Sequence, residues 1–162
     1  MSGTERFRAY VAAHLVLHKD GQVLLLRRFN TGYQDGNYSV VAGHMEGRET
    51  AEQCIIREAK EEAGITLTPQ DVHVVHVMHR LSIEDREYVD IYLTADTWSG
   101  EITNMEPEKC DALTWFSIND LPVNILPQIQ LALNNIATGK FYGEIGWEND
   151  IRCLAPDSMR QT

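Results

Sequence analysis

The chain has 162 residues, of which 43% are hydrophobic and 23% are charged, and its formal net charge at pH 7 is −10. This length suits one folded domain, predicted here to cover residues 1–162. The negative charge argues against a nucleic-acid polymer or an anionic membrane as partner, because both attract basic proteins.

The cysteines show no pattern typical of metal binding or disulfide pairing. Cys54, Cys110 and Cys153 contain no C-x-x-C spacing, which disfavours a structural zinc site. The sequence shows neither a secretory signal nor an apolar run close to the length of a membrane span. We therefore expect a cytoplasmic protein.

The first predicted elements form a hairpin. Residues 8–18 have strand character, Asp20-Gly21 is a strong hairpin-turn signal, and residues 23–26 return as a short buried strand that ends in Arg27 and Arg28. Two interpretations of these arginines stay open: solvated charge, or contact with a phosphate or base.

The best-defined predicted helix follows a polar loop over residues 29–37 and a short strand over residues 38–42. Thr50 and Gln53, three positions apart, predict a capping box at its start. Gly64 predicts its end.

One face of this helix carries a cluster of carboxylates. Glu58, Glu61 and Glu62 stand at positions i, i+3 and i+4, so their side chains lie within about 6 Å of each other. A solvated helix face is one interpretation. The other is a site for a divalent cation, most naturally Mg²⁺ with Mn²⁺ as the alternative, because carboxylates and phosphates commonly share such ions. Arg57 lies four residues before Glu61 and is placed to pair with it.

Strands over residues 72–81, 88–98 and 112–117 and a last helix over residues 126–137 are predicted next, followed by a tail over 138–162. In the second of these strands, aliphatic residues alternate with tyrosines and Asp90, which predicts a half-buried strand. Strands interleaved with two helices indicate an α+β protein.

Two further groups of residues in this part of the chain bear on metal binding. The first strand holds His73, His76 and His79, which alternate between faces and so do not predict a zinc site. An acidic loop over residues 103–111 holds Glu106 and Glu108.

The spacing around the predicted helix resembles a family motif. Gly43, five residues, Glu49, seven residues, then the nine residues from Arg57 to Ile65 resemble the Nudix box, G-x5-E-x7-R-E-U-x-E-E-x-G-U, where U is aliphatic. Ala59 is smaller than the residue usual at the first aliphatic position. The resemblance implies an α/β/α sandwich around a mixed sheet, with the box, residues 43–65, as a loop–helix–loop.

The resemblance also implies roles for individual residues. Arg57 would orient the site, and the general base would be Glu58, Glu61 or Glu108, a choice that differs among members of the family. A glutamate of the acidic loop completes the metal site in many members, and here Glu108 is preferred over Glu106. The expected metal ligands are Glu58, Glu62, Glu61, Glu108 and the backbone carbonyl of Ala42. The expected substrate-binding residues are Arg28, Asn124, Gly43 and Glu49, of which Glu49 would support the loop or a further metal.

The activity implied is hydrolysis of a nucleoside diphosphate linked to a further group. Signatures of ADP-ribose, diadenosine polyphosphate and coenzyme A hydrolases are absent, so the sequence favours a nucleoside triphosphate, cleaved to monophosphate and pyrophosphate. In hydrolases of oxidised guanine nucleotides an asparagine near Asn124 reads the base, although Asn124 would equally suit a cap for the last helix. The alternatives are a nucleotide sugar, dinucleotide or other diphosphate as substrate, or a nucleotide sensor without activity.

Overall fold

The computed structural model describes residues 6–148, which form nine strands and two helices. In chain order these elements are β1 Tyr10–Val16, β2 His18–Lys19, β3 Gln22–Arg28, β4 Tyr38–Ser39, β5 Val41–His44, α1 Ala51–Ala63, β6 Val72–Leu81, β7 Glu87–Ala95, β8 Cys110–Ser117, α2 Pro127–Ala137 and β9 Tyr142–Ile145. Neither helix in this part of the chain is long and apolar enough to cross a membrane.

The strands form two sheets. The larger sheet has five strands in the order β5-β1-β7-β6-β9 and is mixed, since β1 pairs with β7 in parallel and with β5 in antiparallel orientation. The smaller sheet is antiparallel and holds β2, β3, β4 and β8. The predicted hairpin turn between β2 and β3 is confirmed, because Asp20 and Gly21 both have positive φ.

The helices pack on two separate hydrophobic clusters. Buried residues of α1, among them Ile55 and Ala59, pack with Leu15 and Leu93 of the five-stranded sheet. The cluster of α2 centres on Ile129 and includes other residues of the same strands and of β3. Alternate residues of each strand therefore serve opposite layers. The predicted α+β class and α/β/α layering are both confirmed.

The single strand predicted over residues 38–42 is wrong. Tyr38–Ser39 pairs with β3 in the smaller sheet, whereas Val41–His44 pairs with β1 in the larger one. The chain thus steps between the sheets at Val40, which is buried. This step places Gly43 in β5, the edge strand of the larger sheet, next to α1.

The predicted arrangement of the histidines in β6 is also wrong, because a β-bulge lies between Val74 and His76. The bulge adds a residue, so His73 and His76 pair with residues two apart on β7 and share a face, whereas His79 lies on the other face. His76 is fully buried and its Nδ1 lies 2.9 Å from the carbonyl oxygen of Lys140.

The first part of the predicted tail joins the larger sheet. Strand β9 pairs in parallel with β6, and Trp147 Nε1 donates a hydrogen bond to the carbonyl oxygen of His79 at 3.0 Å. The rest of the predicted tail, residues 149–162, lies outside the described residues.

Candidate active site

Helix α1 is fixed at both ends by the caps that the sequence predicts. Gln53 N donates to Thr50 Oγ1 at 3.2 Å and Thr50 N donates to Gln53 Oε1 at 2.9 Å, which completes the capping box. Gly64 ends the helix with φ 71°, a left-handed conformation that glycine adopts at little cost. Because the apolar face of α1 is buried against the sheet, the glutamates on its other side face a cavity.

Arg57 holds three of the carboxylates that the sequence singles out. Its Nη2 donates to Glu49 Oε1 at 3.0 Å, and its Nη1 donates to Glu58 Oε1 at 2.6 Å and to Glu61 Oε2 at 3.3 Å. The bond to Glu49 is the main cause of a raised pKa of Arg57, so the guanidinium stays charged. This geometry is what the predicted orienting role requires.

Glu49 ties the loop of the motif to the helix. Its Oε1 also accepts a hydrogen bond from Glu46 N at 2.6 Å. The bond from Arg57, followed by the bond from Glu46, lowers the pKa of Glu49. Glu49 therefore remains an ionised acceptor that shapes the loop between Gly43 and Thr50.

The position of the Glu58 side chain leaves no room for a Cβ at residue 43, so this residue must be glycine. A Cβ at residue 43 would lie 1.9 Å from Glu58 Oε1 and 2.1 Å from its Cδ, far inside van der Waals contact. The glycine thus allows the backbone of β5 to approach the carboxylate that Arg57 holds from the other side. Its φ is not positive, so space rather than backbone conformation explains the residue.

Glu62 is the most deeply placed of the helix carboxylates. Ala42 N donates to Glu62 Oε2 at 3.0 Å. Burial raises the pKa of Glu62 to about 8, and the charges of Glu58 and Glu106 add to this, while the Ala42 amide opposes it. Burial also raises the pKa of Glu58. Carboxylates in this state favour a nearby cation, because each ionises more easily beside one.

These side chains line one cavity of about 370 Å³, which we call the carboxylate cavity. Its walls include, from the predicted site, Arg28, Ala42, Gly43, Glu58, Glu61 and Glu62, and in addition His44, Glu106, Lys109 and Cys110. The two carboxylates least enclosed are Glu61, whose side chain is 53% exposed, and Glu106 at 27%.

Of the two glutamates in the acidic loop, the structure places Glu106 and not Glu108 at the carboxylate cavity. Glu108 is exposed and does not line the carboxylate cavity. The carbonyl of Glu106 accepts hydrogen bonds from the amides of Lys109 and Cys110, so this segment forms a helical turn. Residues two apart on such a turn point in different directions. Glu106 faces the cavity and pairs with Lys109 Nζ at 2.8 Å.

Arg28 reaches the carboxylate cavity from the end of β3. Its Nε donates to the carbonyl oxygen of Tyr33 at 2.8 Å and its Nη2 donates to Thr31 Oγ1 at 3.0 Å. The loop that supplies these acceptors is itself fixed, because the amides of Thr31 and Gly32 donate to the Asp35 carboxylate. Arg28 is therefore fixed in position and presents a positive charge at the cavity wall. Contact with a phosphate would require this placement.

Asn124 contacts a neighbouring loop and does not cap the last helix. Helix α2 starts after Leu126 without a side-chain cap, so the capping interpretation of Asn124 is wrong. Its Nδ2 instead donates to the carbonyl oxygen of Gly36 at 2.6 Å, and it lines neither of the two cavities described here. Asn124 thus anchors the loop over residues 29–37, while a role in base reading remains only a prediction.

A second cavity of about 360 Å³, the side cavity, adjoins the carboxylate cavity and shares Arg28, Ala42, Gly43 and His44 with it. Its remaining lining is mainly polar or aromatic and includes His14, Tyr33, Ser39, Arg80, Arg86, Tyr88 and Gln128. The sequence does not reveal this cavity, because its walls come from strands far apart in the chain.

The family is decided by comparison with known domains. The NUDIX domain model matches residues 7–135, which is most of the chain. The chain belongs to the Nudix family.

Several Nudix relatives are similar over most of this chain. The NAD-capped RNA hydrolase NudC of Stutzerimonas stutzeri is 30% identical over 120 residues, 74% of this chain and 41% of that protein. The chain therefore spans about two fifths of that relative. The ADP-ribose pyrophosphatase of Methanocaldococcus jannaschii is 29% identical over 73% of this chain and 70% of that protein. The MutT Nudix hydrolase of Burkholderia pseudomallei superposes with TM-score 0.72 at 26% identity, covering 79% of this chain and 98% of that chain.

The donor set of the Nudix site fits a hard divalent cation. Oxygen ligands are available from Glu58, Glu61, Glu62 and Glu106, and the cations that line the same cavity are Arg28 and Lys109. Within residues 6–148, no three acidic, histidine or cysteine side chains already converge on one point. Glu58 accepts a hydrogen bond from Arg57 through Oε1, and Glu62 accepts one from the Ala42 amide through Oε2, so the second oxygen of each carboxylate is the one available to an ion.

Proposed function

We propose that this Nudix protein hydrolyses a nucleoside triphosphate to a nucleoside monophosphate and pyrophosphate. The observation that carries the proposal is the pairing of the carboxylate cavity with the side cavity across a shared wall. The first suits a metal-bound phosphate chain, and the second has a volume within the range of small-molecule sites, about 300–1,000 Å³. A space of this size suits one nucleoside.

Divalent metal completes the proposed site. Glu58, Glu61, Glu62 and Glu106, with the Ala42 carbonyl, would hold Mg²⁺, or Mn²⁺ in its place, and the bound ion would neutralise phosphate charge and acidify water. Here Glu106 takes the place first assigned to Glu108. Arg57 keeps Glu58 and Glu61 in position, and Arg28 adds positive charge beside the phosphates.

The bond changes in this proposal are simple. The oxygen of a water molecule bonds to phosphorus, and the bridging P–O bond breaks with its electron pair going to the leaving phosphate oxygen. Glu61 is the carboxylate best placed to take the proton of the water. It lines the carboxylate cavity, its side chain is 53% exposed, and its contact with Arg57 is long at 3.3 Å. Glu58, by contrast, is held at 2.6 Å.

A second candidate substrate is a diphosphate that links a nucleoside to another group, such as NAD or ADP-ribose. The names of the relatives from Stutzerimonas stutzeri and Methanocaldococcus jannaschii favour it. A sensor without activity is less favoured, because such proteins tend to lose the glutamates of the motif, and Glu49, Glu58, Glu61 and Glu62 are all retained.

The test is product analysis across a substrate panel. Canonical and 8-oxo nucleoside triphosphates, NAD, ADP-ribose, nucleotide sugars and dinucleotides are incubated with Mg²⁺, with Mn²⁺ and with EDTA, and the products are separated by chromatography. We expect pyrophosphate and a monophosphate from a triphosphate, no turnover in EDTA, and a loss of orders of magnitude in Glu62→Gln with an unchanged circular dichroism spectrum. Turnover confined to NAD or ADP-ribose would replace the first candidate with the second.

A further inference from the structure

A buried polar cluster lies at the side cavity, and the proposed hydrolysis makes no use of it. Arg80 Nε donates to Asp90 Oδ2 at 2.5 Å and Arg80 Nη2 donates to Asp90 Oδ1 at 3.2 Å. His14 Nε2 lies 3.3 Å from the same Oδ1. Asp90 is fully buried, while Arg80 and His14 are 9% and 8% exposed, and both line the side cavity.

A buried cluster of charges of this kind adds little to the net stability of a fold. Removing charges from water costs several kcal/mol per ion, and apolar residues of similar volume often stabilise a protein at least as well. Burial would raise the pKa of Asp90, but His14 and Arg80 outweigh it and hold this pKa at about 2. The carboxylate is therefore ionised at neutral pH. Arg80 donates to both of its oxygens, and His14 Nε2 lies close to one of them.

The cluster holds the guanidinium of Arg80 in one orientation. Two of the three guanidinium nitrogens donate to the Asp90 carboxylate. The guanidinium carbon of Arg80 lies 4.1 Å from the centre of the Tyr88 ring. His14 in turn stacks on Tyr92, with ring centres 4.6 Å apart and planes 17° apart. Within residues 6–148, Arg80 Nη1 donates no hydrogen bond to the protein. A fixed donor therefore remains at the cavity wall.

We infer that Arg80 is a specificity-determining residue that reads hydrogen-bond acceptors on the base of the substrate, with Asp90 and His14 as positioning residues. The inference deepens the proposed function and rests on its assignment of the nucleoside to the side cavity. An arginine offers donors only. Guanine and hypoxanthine present two neighbouring acceptors, O6 and N7, whereas adenine presents N7 beside an amino donor. The matching substrate class is the 6-oxopurine nucleotides.

Binding of monophosphates tests the inference without any turnover. We would titrate GMP, IMP and AMP into the metal-free protein in EDTA and measure the Kd values by calorimetry. We expect GMP and IMP to bind about tenfold or more tightly than AMP, in line with one good arginine–guanine contact. Because no hydrolysis is measured, a protein that cleaves no triphosphate but keeps this preference refutes the proposed function and supports the role of Arg80.

Variants of the cluster separate recognition from folding. Arg80→Lys keeps the positive charge but loses the planar guanidinium donors, and Asp90→Asn weakens the hydrogen bonds that orient the Arg80 guanidinium. Both should lose the preference for GMP over AMP while AMP still binds, whereas a merely structural role would weaken both ligands equally. His14→Phe, which keeps an aromatic ring beside Tyr92, should reduce the preference in part.

A matched pair elsewhere in the chain gives the control. Arg27 and Asp111 form a similar two-bond pair at 2.7 and 2.8 Å, but both are partly exposed and lie outside the two cavities. Arg27→Lys and Asp111→Asn should leave the preference unchanged.

A last measurement does not depend on folded variants. The wild-type protein should bind 7-deaza-GMP, which lacks the N7 acceptor, less tightly than GMP. Equal binding of GMP and AMP by the wild type, or an unchanged preference in Arg80→Lys, would overturn the inference.

Discussion

Replacing Gly43 by alanine should separate catalysis from folding. The added Cβ would lie 1.9 Å from Glu58 Oε1, and ordinary contact begins at about 3.4 Å, so the carboxylate must move by about 1.5 Å. The atoms that must move are Oε1, Cδ and Cγ of the Glu58 side chain, and the backbone is not among them, so the fold can absorb the change. Overpacking of this kind costs about 1–3 kcal/mol of unfolding free energy.

The catalytic cost should be larger. Glu58 leaves the position in which Arg57 Nη1 holds it at 2.6 Å, and a misplacement of about 1 Å at a reacting site can cost about 10²-fold in rate. We expect Gly43→Ala to lose at least this factor in kcat. The assay is the initial rate of pyrophosphate release at saturating substrate and metal, with Tm measured by calorimetry on the same sample.

A glycine in the same loop provides the control. A Cβ at Gly47 would meet no atom within 4 Å, and its φ is not positive. Gly47→Ala should therefore keep the wild-type rate and gain slightly in stability through a less flexible unfolded chain. Full activity in Gly43→Ala would refute the argument that the position of Glu58 governs the chemistry. A similar loss in Gly47→Ala would show that loop flexibility, rather than the contact with Glu58, matters.

Three further predictions concern other parts of the site. Because burial raises the pKa of Glu62 from 4.5 to about 8, the stability tied to its protonated form is complete below about pH 4.5 and is lost as pH rises through 8. The Tm of metal-free protein should therefore fall between pH 5 and 8, and Glu62→Gln should flatten that decline in calorimetry; an unaltered slope would contradict the buried state of this carboxylate. Arg57→Lys replaces a planar guanidinium with a single ammonium charge. It should lower kcat by about 10²-fold while the circular dichroism spectrum is unchanged; a wild-type kcat would show that the bonds from Arg57 to the glutamates do not govern the rate. Asn124→Ala frees the Gly36 carbonyl and should speed proteolysis within residues 29–37, whereas an unchanged cleavage rate would show that the bond does not hold the loop.

The local parts of the site could be predicted from sequence. The capping box at Thr50, the stop at Gly64 and the shared face of the glutamates depend on neighbours within four residues, and helical geometry fixes such relations. The structure confirms the caps. The close approach of Gly43 to Glu58 joins residues on different elements, so it follows only once β5 is seen to lie beside α1.

The acidic loop shows why sequence alone does not tell which of two nearby glutamates lines the cavity. Glu106 and Glu108 have the same chemistry and nearly the same position in the chain, and nothing in the pattern of the sequence separates them. The turn is set by the hydrogen bonds that the Glu106 carbonyl accepts, and the loop is fixed to the helix by the bond from Met105 N to the carbonyl of Glu62 at 3.1 Å. Backbone hydrogen bonds of this kind depend little on side-chain identity, so the sequence does not predict them.

Strand β7 shows how tertiary packing can cover both sides of an alternating strand. Its sequence predicts a half-buried strand, with Asp90 and the tyrosines opposite the aliphatic residues. In the structure Tyr88, Asp90 and Tyr92 are buried. On the aliphatic side Leu93 is also buried, while Val89 and Ile91 are intermediate. Helix α2 and the side cavity lie over the polar side, and they belong to distant parts of the chain.

This division between local and non-local residues separates chemistry from specificity. The groups proposed to hold the metal and phosphates lie mostly within the 43–65 motif, whereas those proposed to read the base, Arg80, Asp90 and His14, come from three strands. The two groups meet at the backbone wall from Ala42 to His44, which lines both cavities. A change in Arg80 can therefore alter the preferred base while Arg57 still holds Glu58, and comparing Arg80→Lys with Gly43→Ala measures that separation directly. The first should change relative Kd values and the second kcat.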